Sequence, residues 1–416
     1  MNATTPVSGA DEPLVRERAL TVFLLTATGV GFLPWFAISA LGPFMVEDLG
    51  TTAALPGQLV GVLFIVAAGV STIIGRVMAI AGPARVAAGA ILVCGTALAG
   101  MATLPGLVGL AGAVALAGIA LAIPMPATAV LVAQRVRAHR QGTVIGIAQS
   151  GQQLGALASG IALPAVAVAA GWRWALAGAA ITAIVIGALS LPMVRRDRPI
   201  ARGPAMRFSA PRWLMAYAFL MSSWTVSSVA YLPITGVQHH GLDGQTAGLL
   251  VTVIGAVAIG GKILWGRVAG GVTDVLHPPM ILAVLSACGV SLAAWSLQAG
   301  VGGLWASAVL LGASALAWPV VTLALVARTF EPAVAGAVSG RVLAAGFTGS
   351  ATGPVVFAWL LSIGGLALSW WTGVAVMVTA GVIVTVVYGS QRHARERELE
   401  IAAADDGHGE LDDGYR

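Results

Sequence analysis

Residues 259–271, IGGKILWGRVAGG, carry the one lysine of the chain, Lys262, inside a run that is otherwise apolar up to Arg267. The tripeptide GRV at 266–268 also stands at 75–77, in GRVMAIAGPAR, 191 residues earlier (266 − 75 = 191). The same offset joins Gly57 to Gly248 and Gly69 to Gly260. Farther along, Cys94 pairs with Cys288, Gly118 with Gly312, TAVLVA at 128 with TLALVA at 322, Gly142 with Gly336, and Gly155 with Gly349. Here the offset is 194 (288 − 94 = 194), so one loop of the second copy is three residues longer. The chain reads as one unit written twice.

Composition says what the unit is made of. The 416 residues are 58% hydrophobic and 9% charged, whereas about a quarter of the residues in a soluble globule are charged. A polytopic membrane protein is expected. Apolar runs long enough to span about 30 Å of hydrocarbon as helix lie near 20–45, 54–78, 84–104, 107–132, 143–169 and 174–194, then near 213–237, 245–269, 279–298, 301–327, 335–363 and 366–389. The fold class is therefore an all-α membrane protein, with twelve transmembrane helices arranged as two pseudo-symmetric six-helix bundles. The expected boundaries are an N-terminal tail 1–19, a bundle 20–194, a basic and Pro-rich linker 195–212, a second bundle 213–390 and a tail 391–416. The first apolar run follows Arg16 and Arg18 with no small-residue cleavage site, so it is read as a retained helix. The final DDGHGELDDGYR is acidic and unpatterned, and is expected to be disordered.

Basic residues orient the spans, because Lys and Arg are retained on the cytoplasmic side. With the N-terminus inside, Arg76, Arg85, RVRAHRQ (135–141), the linker, Arg267, Arg328 and Arg392, Arg395 and Arg397 all fall inside, and Arg173 alone falls outside. Both termini are thus expected in the cytoplasm, with the protein in the cytoplasmic membrane.

Several chemistries are excluded. Cys94 and Cys288 lie within apolar runs and read as inert thiols, so neither a disulfide framework nor a thiolate metal site is expected. GAVAIGGKI (255–263) mimics a phosphate loop, but its first glycine is one residue early and Ile263 stands in the Ser/Thr position. His239 and His240 are adjacent without a second cluster of ligands. No nucleophile, acid pair or metal cluster points to an enzyme. No cofactor and no nucleic-acid partner are expected, and the working unit is expected to be a monomer in the bilayer.

The chain resembles the major facilitator superfamily over nearly its whole length. The resemblance rests on GRVMAIAGPAR after span two, AQSGQQLGALASG opening span five, GWRWA between spans five and six, and GGKILWGRVAGG ending span eight. It implies a secondary transporter working by alternating access, with spans one, seven, eight and eleven around a central cavity. Gly75, Arg76, Gly82 and Arg85, and in the second half Gly266 and Arg267, stand in the gate motif. Ala79 and Ile80 replace the family's Asp-Arg pair, and Gly270 stands where the second half would carry an acid. In the family that acid latches the cytoplasmic gate; Asp274 is the nearby candidate to replace it. Span five lacks the Gly-Pro-x-x-Gly-Gly ending of the proton-coupled drug exporters, and span four lacks their buried arginine. Both departures count against drug efflux.

All 17 acidic residues lie at span ends, in loops or in the tails. Proton-driven export of cations needs a buried acid, and this chain has none in a membrane core. Basic residues do enter the spans. Lys262 lies seven residues before Ala269, about 10 Å deep at roughly 1.5 Å per residue, and Arg341 lies comparably deep from the start of span eleven. In relatives that carry monocarboxylates or exchange oxalate for formate, a basic residue on span eight stands four positions before a glycine, as Lys262 stands before Gly266. Lys262 is therefore the candidate anion contact, and Arg341 a second contact or a gate element. A lysine within two turns of the interface can also snorkel to the headgroups.

Gln149 and Gln153, four apart on span five, share a helix face and join the candidate binding residues. Trp35 on span one, with Trp224 and Tyr231 on span seven, would supply flat apolar walls, and Trp318 a further one. Pro34, Pro43, Pro124, Pro126, Pro233 and Pro319 would kink spans one, four, seven and ten. The expected substrate is a small organic anion, preferably a carboxylate. If uptake is coupled to protons, the proton would travel with the substrate carboxylate or through Asp48 or His239 at the outer mouth. Two alternatives stand beside this: an exporter of a neutral or lipophilic compound, and a membrane sensor that kept the fold and lost transport.

Overall fold

A computed structural model describes residues 11–194, 210–330 and 332–412; most of the linker, 195–209, and Glu331 lie outside the described residues. Every regular element described is helical. In the first half, α1 is Asp11–Asp48, α2 Leu55–Ala81, α3 Pro83–Thr103, and α4 is broken into Gly106–Leu121 and Pro124–Arg135. Helices α5 (Ala138–Ala170) and α6 (Trp172–Ser190) complete it. In the second half, α7 is Arg212–His240, α8 Gly244–Gly271 and α9 His277–Ala299. Helix α10 is broken into Val301–Ala313 and Trp318–Thr329. The last helical stretch, Pro332–Asp412, turns at Gly365 (φ 69°, ψ −169°), which only glycine adopts freely, and so divides into α11 (332–364) and α12 (366–412). Two sets of six helices result.

Length and apolarity alone pick out nine spans among the described residues, or ten when the bent α2 is counted as one. The count falls short of twelve for physical reasons. The 53-residue stretch Val338–Ser390 holds two helices joined at Gly365. Helix α7, with Ser222, Ser223, Thr225, Ser227 and Ser228, is too polar to register as a span, yet 221–236 is buried without interruption. A helix enclosed by other helices needs no lipid-compatible surface.

The helix ends define two faces. Arg76, Arg85, Arg135, Arg267 and Arg328 lie on one, called here the basic face, and Asp48, Arg173, His239 and Asp243 on the other. Expected kinks are realised at Pro124 and Pro319, where α4 and α10 break, the latter through a tight turn at Ala315–Ala317. Helices α1 and α7 run through Pro34, Pro43 and Pro233 without a break. Of the final acidic stretch, expected to be disordered, the part as far as Asp412 continues α12, in keeping with the helix-forming Ala, Glu and Arg that lead into it, and 413–416 lie outside the described residues.

The repeated glycines mark matched contacts. A Cβ at Gly118 would strike the Leu63 carbonyl, and one at Gly312 the Ile254 carbonyl, so α4 meets α2 as α10 meets α8. Gly155 lies against the Gly29 carbonyl on α1, and Gly349 against the Phe219 carbonyl on α7. Small residues let helix backbones approach closely, which is how helices associate in lipid.

Candidate functional site

Two seams join the halves, both towards the face opposite the basic one. Helix α5 meets α8 where Gly160 lies against Thr252 and Gly248, Gly248 against Pro164, and Gly255 against Ala156. Helix α2 meets the second half where Gly57 lies against Tyr231 and Gly61 against Val355 and Ala351. Tyr231 is the centre of that seal. Its hydroxyl lies within donating distance of the Ala54 carbonyl (3.3 Å) and the Pro354 carbonyl (3.4 Å), and its ring stacks on Phe357 at 4.1 Å. Trp370 closes the next layer, donating from Nε1 to Thr235 Oγ1 at 3.1 Å and lying edge-on to Phe357. At the rim, Trp172 Nε1 donates to Asp48 Oδ2 at 2.9 Å, and the Arg173 guanidinium sits 4.4 Å over the Trp172 ring.

Towards the basic face the seams part around a cavity of about 780 Å³. Its walls come from α1, α2, α4 and α5 of one half and α7, α8, α10 and α11 of the other. The breaks at Pro124 and Pro319 bring Met125, Leu316 and Trp318 to its wall. Five aromatic rings line it: Phe32, Trp35, Phe64, Trp318 and Phe347. Trp35 stands edge-on to Phe64 (5.5 Å), and Phe64 faces Phe347 across the halves at 6.4 Å. Trp35 is 3% exposed and its Nε1 has no hydrogen-bond partner.

The polar part of the wall is small. Ser222 and Ser350 share a hydrogen bond of 2.6 Å. Lys262 Nζ donates to Gln152 Oε1 at 2.7 Å, from α8 to α5, and Gln153 Nε2 reaches the same oxygen at 3.4 Å. An ammonium only donates, so the amide must present its oxygen. The lysine is thus drawn into the cavity wall and does not run out to the headgroups. Arg267, exposed nearer the mouth, is the second charged residue of the lining among the described residues, and no described carboxylate lines the cavity.

The other sequence candidates divide. Gln149 and Trp35 line the cavity with Lys262. Gln153 does not: its side chain is 1% exposed, packed behind Gln152, with Oε1 unpartnered. Trp224 is turned to α12, where its indole covers Gly373, and Tyr231 lies in the seal. Arg341 is exposed and outside the lining. Gly75, Arg76 and Arg85 lie at or beside the basic-face ends of α2 and α3, and Gly82, at φ 88°, makes the turn between them. Gly266 and Arg267 border the cavity. Asp274 accepts from the Leu276 amide at 2.9 Å, while Arg328 on α10 donates to the Ala269 and Val272 carbonyls, both at 2.7 Å, and so holds the end of α8. Asp48 and His239 lie at the opposite face, the latter's Nε2 2.8 Å from the Leu297 carbonyl. Among the described residues no cluster of metal-ligating side chains occurs.

Gln152, Phe32, Phe64 and Phe347 were not singled out as binding residues by sequence reasoning. For Gln152 the signal was present but ambiguous. Residues three and four apart share a helix face equally well, so Gln149 could be grouped with Gln152 or with Gln153, and contact with α8 decides for Gln152.

Two six-helix halves around a central cavity, sealed on one face and open on the other, are the architecture of a membrane carrier. Residues 24–272 match the family model of the Major Facilitator Superfamily. The chain belongs to that superfamily of transporters. No curated protein matches it. Among solved structures it is similar to a bacterial homologue of the human lysosomal transporter Spinster in an inward-facing, occupied conformation, with TM-score 0.72 and 13% identity over 89% of this chain and 96% of that one. It is also similar to a D-xylose–proton symporter (TM-score 0.69, 16% identity, 88% and 97% covered). A POT family transporter in complex with a thioalcohol-conjugated peptide matches as well (TM-score 0.72, 14% identity, 90% and 96% covered). At these identities the likeness is one of fold.

Proposed function

We propose that this chain is a secondary transporter that carries a small organic anion, a carboxylate with an apolar or aromatic body, across the cytoplasmic membrane by alternating access. The observation that carries the reading is the charge of the cavity: among the described residues Lys262 and Arg267 line it and no acid does, and the described partner of the Lys262 ammonium is a neutral amide. A cation held by a neutral group keeps its charge for a ligand, and in a confined, partly desolvated site its attraction for an anion exceeds that in water. Five rings accept the body of the substrate.

Lys262 is then the anion contact, with Gln149 and Trp35 shaping the pocket. Gln153, Trp224 and Tyr231 support it from behind. Arg341, with Gly75, Arg76, Gly82, Arg85, Gly266 and Arg267, belongs to the basic-face ends that must close when the seams open. The positive-inside rule makes the basic face cytoplasmic, with both termini inside, so that the cavity is inward-open. The halves 20–194 and 213–390 are the rocking units, and 195–212 links them. A proton entering with the substrate carboxylate needs no acid in the cavity.

The aromatic lining also favours a neutral lipophilic substrate, and one experiment separates the two. Formate, oxalate, lactate and benzoate, with benzamide and glucose as neutral controls, are offered to proteoliposomes carrying wild type or Lys262→Gln. Saturable carboxylate uptake by wild type, reduced at least about tenfold by the loss of a charged hydrogen bond in a variant that melts like wild type, is the expected result. Movement of neutral compounds only, or undiminished carboxylate uptake by the variant, would overturn the reading.

A further inference from the structure

Lys262 and Gln152 occupy a particular place in the α5–α8 seam. The contacts run in antiparallel steps from Pro164 with Gly248, through Gly160 with Thr252, to Ala156 with Gly255. One turn farther along α5 and two turns farther along α8, Gln152 meets Lys262, where the seam opens into the cavity. Below it backbones touch; here two long polar side chains meet across the halves.

From this we infer that Gln152 is a built-in competitor of the substrate: its amide oxygen holds, in the empty transporter, the position on Lys262 that a substrate oxygen takes in the loaded one. This rests on the anion-transport reading and adds a residue and a selection rule to it. Gln152 Oε1 lies 2.7 Å from Nζ, a full-strength hydrogen bond, so a ligand must displace it or share the ammonium with it. A neutral carbonyl or hydroxyl only exchanges one neutral acceptor for another and gains little. A carboxylate gains, because it adds to the hydrogen bond a full ion–ion attraction, which in a confined, partly desolvated site exceeds that in water. Gln152 thereby sets a threshold that anions pass and neutral analogues do not.

Displacement also cuts a tie between the halves. Once the ligand takes Nζ, Gln152 is released from α8, while Gln153 Nε2, 3.4 Å from the same oxygen, remains on α5 to receive it. Lys262 can then move with its own half and the ligand. Binding of the anion and release of the inter-half bond are one event.

The test measures benzoate and benzamide binding to purified full-length protein by titration calorimetry, for wild type, Gln152→Met and Gln152→Glu. Methionine keeps the length and removes the strong acceptor, so benzoate and benzamide should both bind about tenfold tighter, the factor expected for loss of a competing charged hydrogen bond. Their ratio should stay unchanged, since both ligands face the same competitor. Glutamate offers the ammonium a carboxylate of its own and should weaken benzoate at least about tenfold. A residue that only braces the halves would give no gain in affinity, so Gln152→Met binding benzoate no tighter than wild type, with an unchanged melting temperature, overturns the inference. That failure is distinguishable from failure of the transport reading, in which wild type itself takes up no carboxylate or Lys262→Gln has no effect.

Discussion

Lys262 on α8 donates to Gln152 on α5 across the two halves at 2.7 Å, at the point where their close-packed seam gives way to the cavity. The charge that interrupts an apolar helix is therefore neither buried against an acid nor spread into the headgroups. It is held at the cavity wall by a neutral group, which keeps it available.

The two membrane-embedded cations should separate cleanly. Arg341 is exposed and outside the lining, whereas Lys262 is in it. Arg341→Gln should leave the KM for carboxylate uptake within about twofold of wild type, since surface changes away from a site shift free energies by only about 0.5 kcal/mol. Lys262→Gln should not. A KM rise of tenfold or more in Arg341→Gln would place that residue in the binding site.

The repeat-related glycines Gly57 and Gly248 sit in the two different seams, against Tyr231 and Pro164. Gly57→Val and Gly248→Val should each wedge open the sealed face. A cysteine placed at Ser159, fully buried on α5, should be slow to react with an impermeant thiol reagent in otherwise native protein and fast in Gly248→Val. The background would be Cys288→Ser, because Cys288 is exposed and Cys94 is buried. Equal labelling in both proteins would mean that the seam does not form the seal.

Arg328 satisfies two carbonyls at the end of α8. Arg328→Ala should lower stability by about 1–2 kcal/mol, from hydrogen bonds to a charged donor at a partly exposed site. Arg328→Lys should recover only part of that, since a lysine lacks the planar fork that reaches two acceptors at once. Thermal unfolding in detergent measures both, and full recovery by lysine would mean that the charge alone matters.

At the other end of α8, Asp243 is the N-cap. Hydrogen bonds from the Thr246 side chain first, and then its backbone amide, hold the Asp243 carboxyl below the usual carboxylate range. A depressed folded pKa gives stability that is present above the unfolded value of about 4 and is lost as pH falls through the folded value. Asp243→Asn, which keeps one capping oxygen but neither the charge nor the acceptor for the Thr246 hydroxyl, should lower the melting temperature at neutral pH and flatten its pH dependence below about pH 4. An identical acid limb in the variant would assign that limb to other carboxylates.

The sequence by itself determined the class and the repeat. Apolar runs of membrane length, arginines concentrated in alternate loops, and glycines recurring at offsets of 191 and 194 are local or periodic signals, and each has one physical reading: a span, a side, a close contact. It also put Lys262, Gln149 and Trp35 forward, because a charge or a cluster of amides in an apolar helix is conspicuous without knowing its neighbours, and the family resemblance places span one, with Trp35, at the central cavity. Tertiary structure decided which side of each helix faces what. Trp224 and Tyr231 lie on the same helix as the cavity residues Ser222 and Thr225 but turn to α12 and to the seal. Gln152 and not Gln153 meets Lys262. Residues three and four apart are equivalent along an isolated helix. In a helix packed on all sides, as α7 is, no solvent-facing stripe breaks that equivalence, and only the packing of neighbouring helices chooses between them.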